Sequence, residues 1–112
     1  MIFKAFDIVV VPFPFTDRDA TKRRPALVVS NELFNQQHDN LILAMITTTT
    51  DKDWPSDVSL THWQEAGLKI ACHLRLKLFT LHQNLVLKTA ERLTSRDVKF
   101  VQVVLAKFID VN

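Results

Sequence analysis

The chain has 112 residues, 47% of them hydrophobic and 23% charged, with a formal charge of +2. That is one domain's worth of sequence, long enough to bury a core, and its composition excludes disorder while leaving the partner open. A single cysteine excludes an internal disulfide and a multi-cysteine metal site, and no apolar run approaches the roughly 20 residues of a membrane span; the expectation is one soluble, cytoplasmic domain over residues 1–112 with no membrane partner.

Asp7 to Phe15 is a β-branched apolar run containing Pro12 and Pro14. It reads as a strand that loses pairing on one side near its end, because proline donates no N–H. Thr16 to Arg24 is polar and charged, the first loop. Pro25 to Ser30 is a second strand, its proline at the first position, where a ladder tolerates one. Asn31 to Asn40 suits a helical turn or two. Leu41 to Thr49 is a third strand, apolar first and hydroxylated last. Asp51 to Asp57 is a second polar loop, with Trp54 and Pro55. Val58 to Leu60 reads as a short strand, and His62 to Gly67 as a short helix ended by the only glycine. Ile70 to Leu81 and Leu85 to Lys88 read as two strands joined through His82-Gln83-Asn84. Val98, Val101, Leu105 and Phe108 then recur at helical spacing, and Thr94 with Asp97 fits a capping box, so a helix is predicted from about Ser95 to Phe108. Strands followed by one terminal helix suggest a mainly β domain, a small antiparallel barrel or an α+β fold, rather than a βαβ repeat.

Three stretches have chemical potential. In Arg23-Arg24-Pro25 the proline holds Arg24 extended at the threshold of a strand, a placement that suits a guanidinium fork to a phosphate; a solvated basic loop accounts for the same residues. Thr47 to Thr50 put hydroxyls at a strand end, where they can hold phosphate oxygens, although threonine also favours strands for its shape. His73, Arg75, Lys77 and Phe79 alternate with Leu74, Leu76 and Leu78. One face is leucine, and the other has charge for phosphates and a ring for stacking, as single-stranded nucleic acid requires; it is equally the wet face of an antiparallel strand. The histidines at 38, 62, 73 and 82 have no metal-site spacing, and Cys72 reads as core.

Asp7 to Asp17, Lys22 to Ser30 and Ala44 to Thr47 together resemble the MazF/PemK toxin family of type II toxin–antitoxin systems. The resemblance continues through Asp57-Val58-Ser59-Leu60, Glu65-Ala66-Gly67-Leu68 and Lys77 to Leu81. It implies a small SH3-like barrel (MazF/CcdB-like) with short helices and a C-terminal α-helix, working as a homodimer. It further implies a metal-independent endoribonuclease, without cofactor, that cuts single-stranded RNA by attack of the 2′-hydroxyl and is inhibited by a cognate antitoxin protein. By position, Arg24 and Thr47 resemble the catalytic pair. Phe15, Thr16, Asp17, Lys22 and Arg23 are expected around the RNA, with Thr48, Thr49, His73, Arg75 and Lys77. Asp17 and His73 are the candidates for the base. Relatives often have a glycine before the first strand's acid, where this chain has Phe6. Their arginine and acid two residues apart, aligned without gaps on Phe79-Thr80-Leu81, fall on Leu74 and Leu76; a one-residue bulge would return Arg75 to the site. A catalytically degenerate member, binding nucleic acid or a protein such as a topoisomerase, is the alternative reading.

Overall fold

The computed structural model describes residues 2–13, 22–48 and 53–110. The six strands are β1 (Asp7–Phe13), β2 (Lys22–Val28), β3 (Asn40–Thr48), β4 (Val58–Ser59), β5 (Cys72–His82) and β6 (Lys88–Arg92), and the helices are α1 (Glu32–His38) and α2 (Ser95–Phe108). The strands form one antiparallel sheet in the order β4-β5-β3-β2-β1-β6, a curled half-barrel with a C-terminal helix. No described helix is long and apolar enough to cross a membrane.

The central strands are buried on both faces, which is why their sequences are continuously apolar instead of alternating. Successive residues go to opposite cores. Ile8, Leu27, Ala44, Ile46 and Leu74 form the first core with Val101 of α2. Val9, Val11, Ala26, Val28, Leu41, Leu43 and Leu81 form the second, on the other face. Each fully buried leucine or isoleucine contributes about 1.5–3 kcal/mol. Helix α2 presents Val98, Val101, Val104 and Leu105 to the first core, the stripe expected from spacing except at Phe108, which is 51% exposed at the helix end.

Asp97 departs from its capping-box role. Thr94 caps α2 by accepting from the Asp97 N–H at 3.4 Å. The Asp97 carboxylate, wholly buried, instead accepts the Thr61 hydroxyl at 2.7 Å and the His62 N–H at 3.0 Å. It thereby pins the 61–66 segment to the helix. That segment is a set of turns, not a regular helix. Gly67 closes it at φ +81°, donating to the Gln64 carbonyl at 3.1 Å. Its position as terminator was legible; the predicted helix before it is not formed. Phe6 also has positive φ, +72°. It is held there by donating to the Val28 carbonyl at 2.7 Å and accepting from the Leu93 N–H at 3.1 Å, while its ring packs on the first core.

Strand bounds shift most in two places. β2 begins at Lys22, three residues before Pro25, since Pro25 pairs with Val10 inside the ladder. β6 runs over Lys88–Arg92, after the predicted Leu85–Lys88, because Gln83–Leu85 winds into a short 3-10 turn first. β1 keeps β2 as partner through Phe13 but pairs with β6 only as far as Val10. The one-sided loss expected at Pro12 is therefore on the β6 side.

Candidate functional site

The β2–β3 ladder is short. It runs from Val28 opposite Leu43 to Ala26 opposite Met45 and goes no further. Beyond it a cavity of about 590 Å³ opens, walled by Arg23, Arg24 and Pro25 of β2 and by Ile46, Thr47 and Thr48 of β3. Arg24 and Thr47, singled out from sequence, both border this opening. Period two assigns both Arg24 and Thr47 to the face of the second core, continuing Ala26 and Val28 on one strand and Leu43 and Met45 on the other. The Arg24 guanidinium carbon lies 4.9 Å from the Phe13 ring centroid, a contact that fixes its stem without using its donors. Thr47 is only 5% exposed.

The rest of the wall is apolar (Val10, Leu68, Ile70, Cys72 and Ala90) apart from two cations. Lys69 and Lys88 line the cavity with Arg23 and Arg24, and no acidic residue lines it among the described residues. Low-dielectric walls with charge of one sign concentrate an anionic ligand. Cys72 lines it too, but its thiol donates to the Ile70 carbonyl at 3.2 Å and burial pushes its pKa up. It is a core residue and not a nucleophile, because the thiolate is the reactive form.

A second group of side chains continues across the sheet. His73 of β5 stands directly opposite Thr47, and Arg75 opposite Met45. His73 Nε2 is 3.2 Å from the Asp53 carboxylate. Its Nδ1 is buried with no hydrogen-bond partner among the described residues. A proton on Nδ1 would be a buried, unsatisfied donor, so the ring is assigned with Nε2 donating to Asp53. His73 is thereby arranged as a donor, not as the acceptor that a general base must present.

Arg75 is engaged from two sides. Its Nε and Nη2 donate to the two Asp57 oxygens at 3.1 and 2.9 Å, and its guanidinium carbon lies 5.0 Å from the Trp54 ring centroid. Burial works to raise the Asp57 carboxyl. The hydrogen bonds from Arg75 and from the Trp54 N–H, with the charges of Arg75 and His73, outweigh it and hold Asp57 below the ordinary carboxylate range.

The β3–β5 ladder explains how these residues reach the site. Its register jumps from Ala44 opposite Leu78 to Met45 opposite Arg75, leaving Leu76 and Lys77 in a two-residue bulge. Two extra residues, unlike one, preserve the alternation of faces. Leu74 consequently enters the first core, and His73 with Arg75, rather than Leu74 with Leu76, occupy the positions beside Thr47. Lys77 is exposed in the bulge, and Lys22 and Arg23 are exposed at the start of β2. Phe15, Thr16, Asp17 and Thr49 lie outside the described residues. Sequence reasoning missed Lys69, Lys88, Asp53 and the Trp54–Asp57 pair. A tryptophan amid the polar residues of the 51–57 loop was the one available signal. No group of three or more His, Cys, Asp or Glu side chains is placed to hold a metal ion among the described residues.

The profile of the PemK-like, MazF-like toxin of type II toxin–antitoxin systems matches residues 4–109. The chain belongs to this family. No curated protein matches its sequence. Among solved structures, a mycobacterial endoribonuclease in complex with its cognate antitoxin superposes with a TM-score of 0.74 at 14% identity, over 95% of this chain and 91% of that one. A MazE–MazF crystal structure from Deinococcus radiodurans gives 0.74 at 21% identity and covers both chains fully, at 100% each. The Mycobacterium tuberculosis toxin MazF-mt6 gives 0.73 at 17%, over 95% and 98%. At these identities the likeness establishes the MazF fold, so the roles of individual residues in this MazF/PemK member rest on its own geometry.

Proposed function

We propose that this MazF/PemK toxin is an endoribonuclease that cleaves single-stranded RNA without a metal ion, the scissile phosphate lying between Arg24 and Thr47. The observation that supports it best is that both border the opening where β2 and β3 separate, which Arg23, Lys69 and Lys88 also line and no acidic residue lines among the described residues. The neighbouring 2′-hydroxyl attacks phosphorus; the 2′-O–P bond forms as the P–O5′ bond breaks. The products are a 2′,3′-cyclic phosphate and a 5′-hydroxyl. Negative charge grows on the non-bridging oxygens, and Arg24, its donors directed by the Phe13 contact, stabilises that charge where water is scarce. Thr47 fixes the phosphate through its hydroxyl. His73, its Nε2 donating to Asp53, flanks Thr47 from β5, and Asp17, the remaining candidate for the 2′-hydroxyl proton, lies outside the described residues. Lys69, Lys88, Lys22 and Arg23 hold the backbone of the strand. A homodimer inhibited by a cognate antitoxin, in the cytoplasm, completes the reading; the antitoxin complex of the mycobacterial relative supports the antitoxin partner.

Incubating the protein with a long single-stranded RNA in chelator tests this. Discrete fragments ending in cyclic phosphate are expected, and a 2′-deoxy substitution at the scissile nucleotide is expected to abolish the cut. Intact RNA at high protein excess would favour the alternative, a nucleic-acid- or protein-binding member that does not cut. One observation leans that way: Leu74, where relatives carry a polar group in the gap-free alignment, is wholly buried core.

A further inference from the structure

Trp54 is 42% exposed, in contrast with Trp63, which packs against the first core. An exposed indole on a polar loop is usually mobile or covered by something. Here its main chain and one ring face are held. The Trp54 backbone N–H donates to the Asp57 carboxylate at 2.9 Å, the Asp57 N–H donates back to the Trp54 carbonyl at 3.0 Å, and Arg75 stacks against the ring at 5.0 Å while gripping the same Asp57. The platform is thus largely set before any ligand arrives. The guanidinium that orders it is already neutralised by Asp57, so this corner offers a flat π surface and no unmatched cation. Arg75 is two residues from His73 on β5 and on the same face, and His73 stands opposite Thr47. The ring's support therefore lies about 7 Å along the strand from the residue facing the proposed scissile phosphate.

We propose that Trp54, propped by Arg75 and Asp57, is the stacking platform for an RNA base next to the scissile phosphate. This rests on the ribonuclease reading and adds a base subsite to it. Phosphates go to the cavity cations; the flanking base leaves the strand and lies on the indole, and purines, having the larger face, are favoured. Stacking of this kind tolerates any base and is worth roughly 5- to 150-fold in affinity per base. Arg75 and Asp57 are positioning residues that act through the ring.

The test uses the full chain with Trp54→Ala and Trp54→Phe, and two probes: a cleavable single-stranded RNA in chelator, and a fully 2′-O-methylated oligonucleotide of the same sequence that cannot be cut. Trp54→Ala is expected to raise KM about 10-fold with kcat within a few-fold of the parent, and Trp54→Phe to recover most of the loss. The methylated probe should quench the parent's tryptophan fluorescence but not the Trp63 emission left in Trp54→Ala. Placing an abasic nucleotide beside the cut should erase the difference between parent and Trp54→Ala, an effect that a purely structural loss would not produce. A Trp54→Ala variant that binds and cuts like the parent, or one whose defect persists on the abasic substrate, overturns the proposal. If the parent neither binds nor cuts RNA, the ribonuclease reading fails first and the subsite with it.

Discussion

Arg24 and Arg75 lie on the same face of one sheet, and their surroundings divide the labour between them. Arg75 has a carboxylate on one side and an indole on the other. Its charge is matched, its donors are used, and its place is fixed. Arg24 has only the edge of the second core and the Phe13 ring, and no carboxylate pairs with it among the described residues. The cavity beside it adds further cations and, among the described residues, no acid to offset them. A matched guanidinium is a structural part; an unmatched one, oriented by a ring, is ready for an anion from outside. The difference arises from the loops each strand meets: the 53–57 segment brings acids to β5, whereas β2 and β3 separate.

Breaking the matched pair should cost most in stability. Arg75→Ala leaves the Asp57 side chain, 4% exposed, without its counter-ion, and removal of one partner from a buried pair costs about 3–5 kcal/mol. Thermal unfolding is then expected to drop by more than 10 °C at the usual scale of about 4–8 °C per kcal/mol for a domain of this size. Arg24→Ala should leave the melting temperature close to the parent's; equal losses for the two variants would erase the distinction. Thr47→Val should slow cleavage about 10-fold, the value of a hydrogen bond to a charged group, with KM moving less than kcat.

The acid limb of stability sharpens the same contrast. Asp57 is depressed in the folded state, so its contribution is fully present above the ordinary value of 3.8 and is lost as pH falls through its lower, folded value. Trp54 emission should therefore change below about pH 3.8 along with thermal stability, and Asp57→Asn should flatten that limb. The smallest effect belongs to the cavity rim: Lys88→Ala should weaken single-stranded RNA binding slightly and reduce the slope of log affinity against log salt by about 0.7, as expected for one lost phosphate contact.

The strands and the terminal helix were legible because burial on both faces leaves continuous apolar runs and α2 leaves a stripe. Arg24 and Thr47 were singled out by resemblance and by their places beside Pro25 and at the end of β3; that both border one opening is what the structure adds. The bulge at Leu76-Lys77 was not, since nothing in an alternating Leu-basic pattern marks where a ladder slips by two, and the slip changes which residues flank Thr47. Lys69 and Lys88 were missed for a different reason: they reach the cavity from segments far from β2 in sequence, and only the curl of the sheet brings them there. Asp97 was seen as a local cap because local spacing cannot reveal that it bridges to Thr61 and His62, more than thirty residues away.

The most direct measurement is the single-turnover cleavage rate of Arg24→Ala against the parent, on one single-stranded RNA, in chelator, with both proteins shown to be folded by circular dichroism. A fall of about 100-fold or more is expected, the scale of losing a donor aimed at developing negative charge. A folded Arg24→Ala that cuts at the parent's rate would show that the unmatched guanidinium has no part in the chemistry.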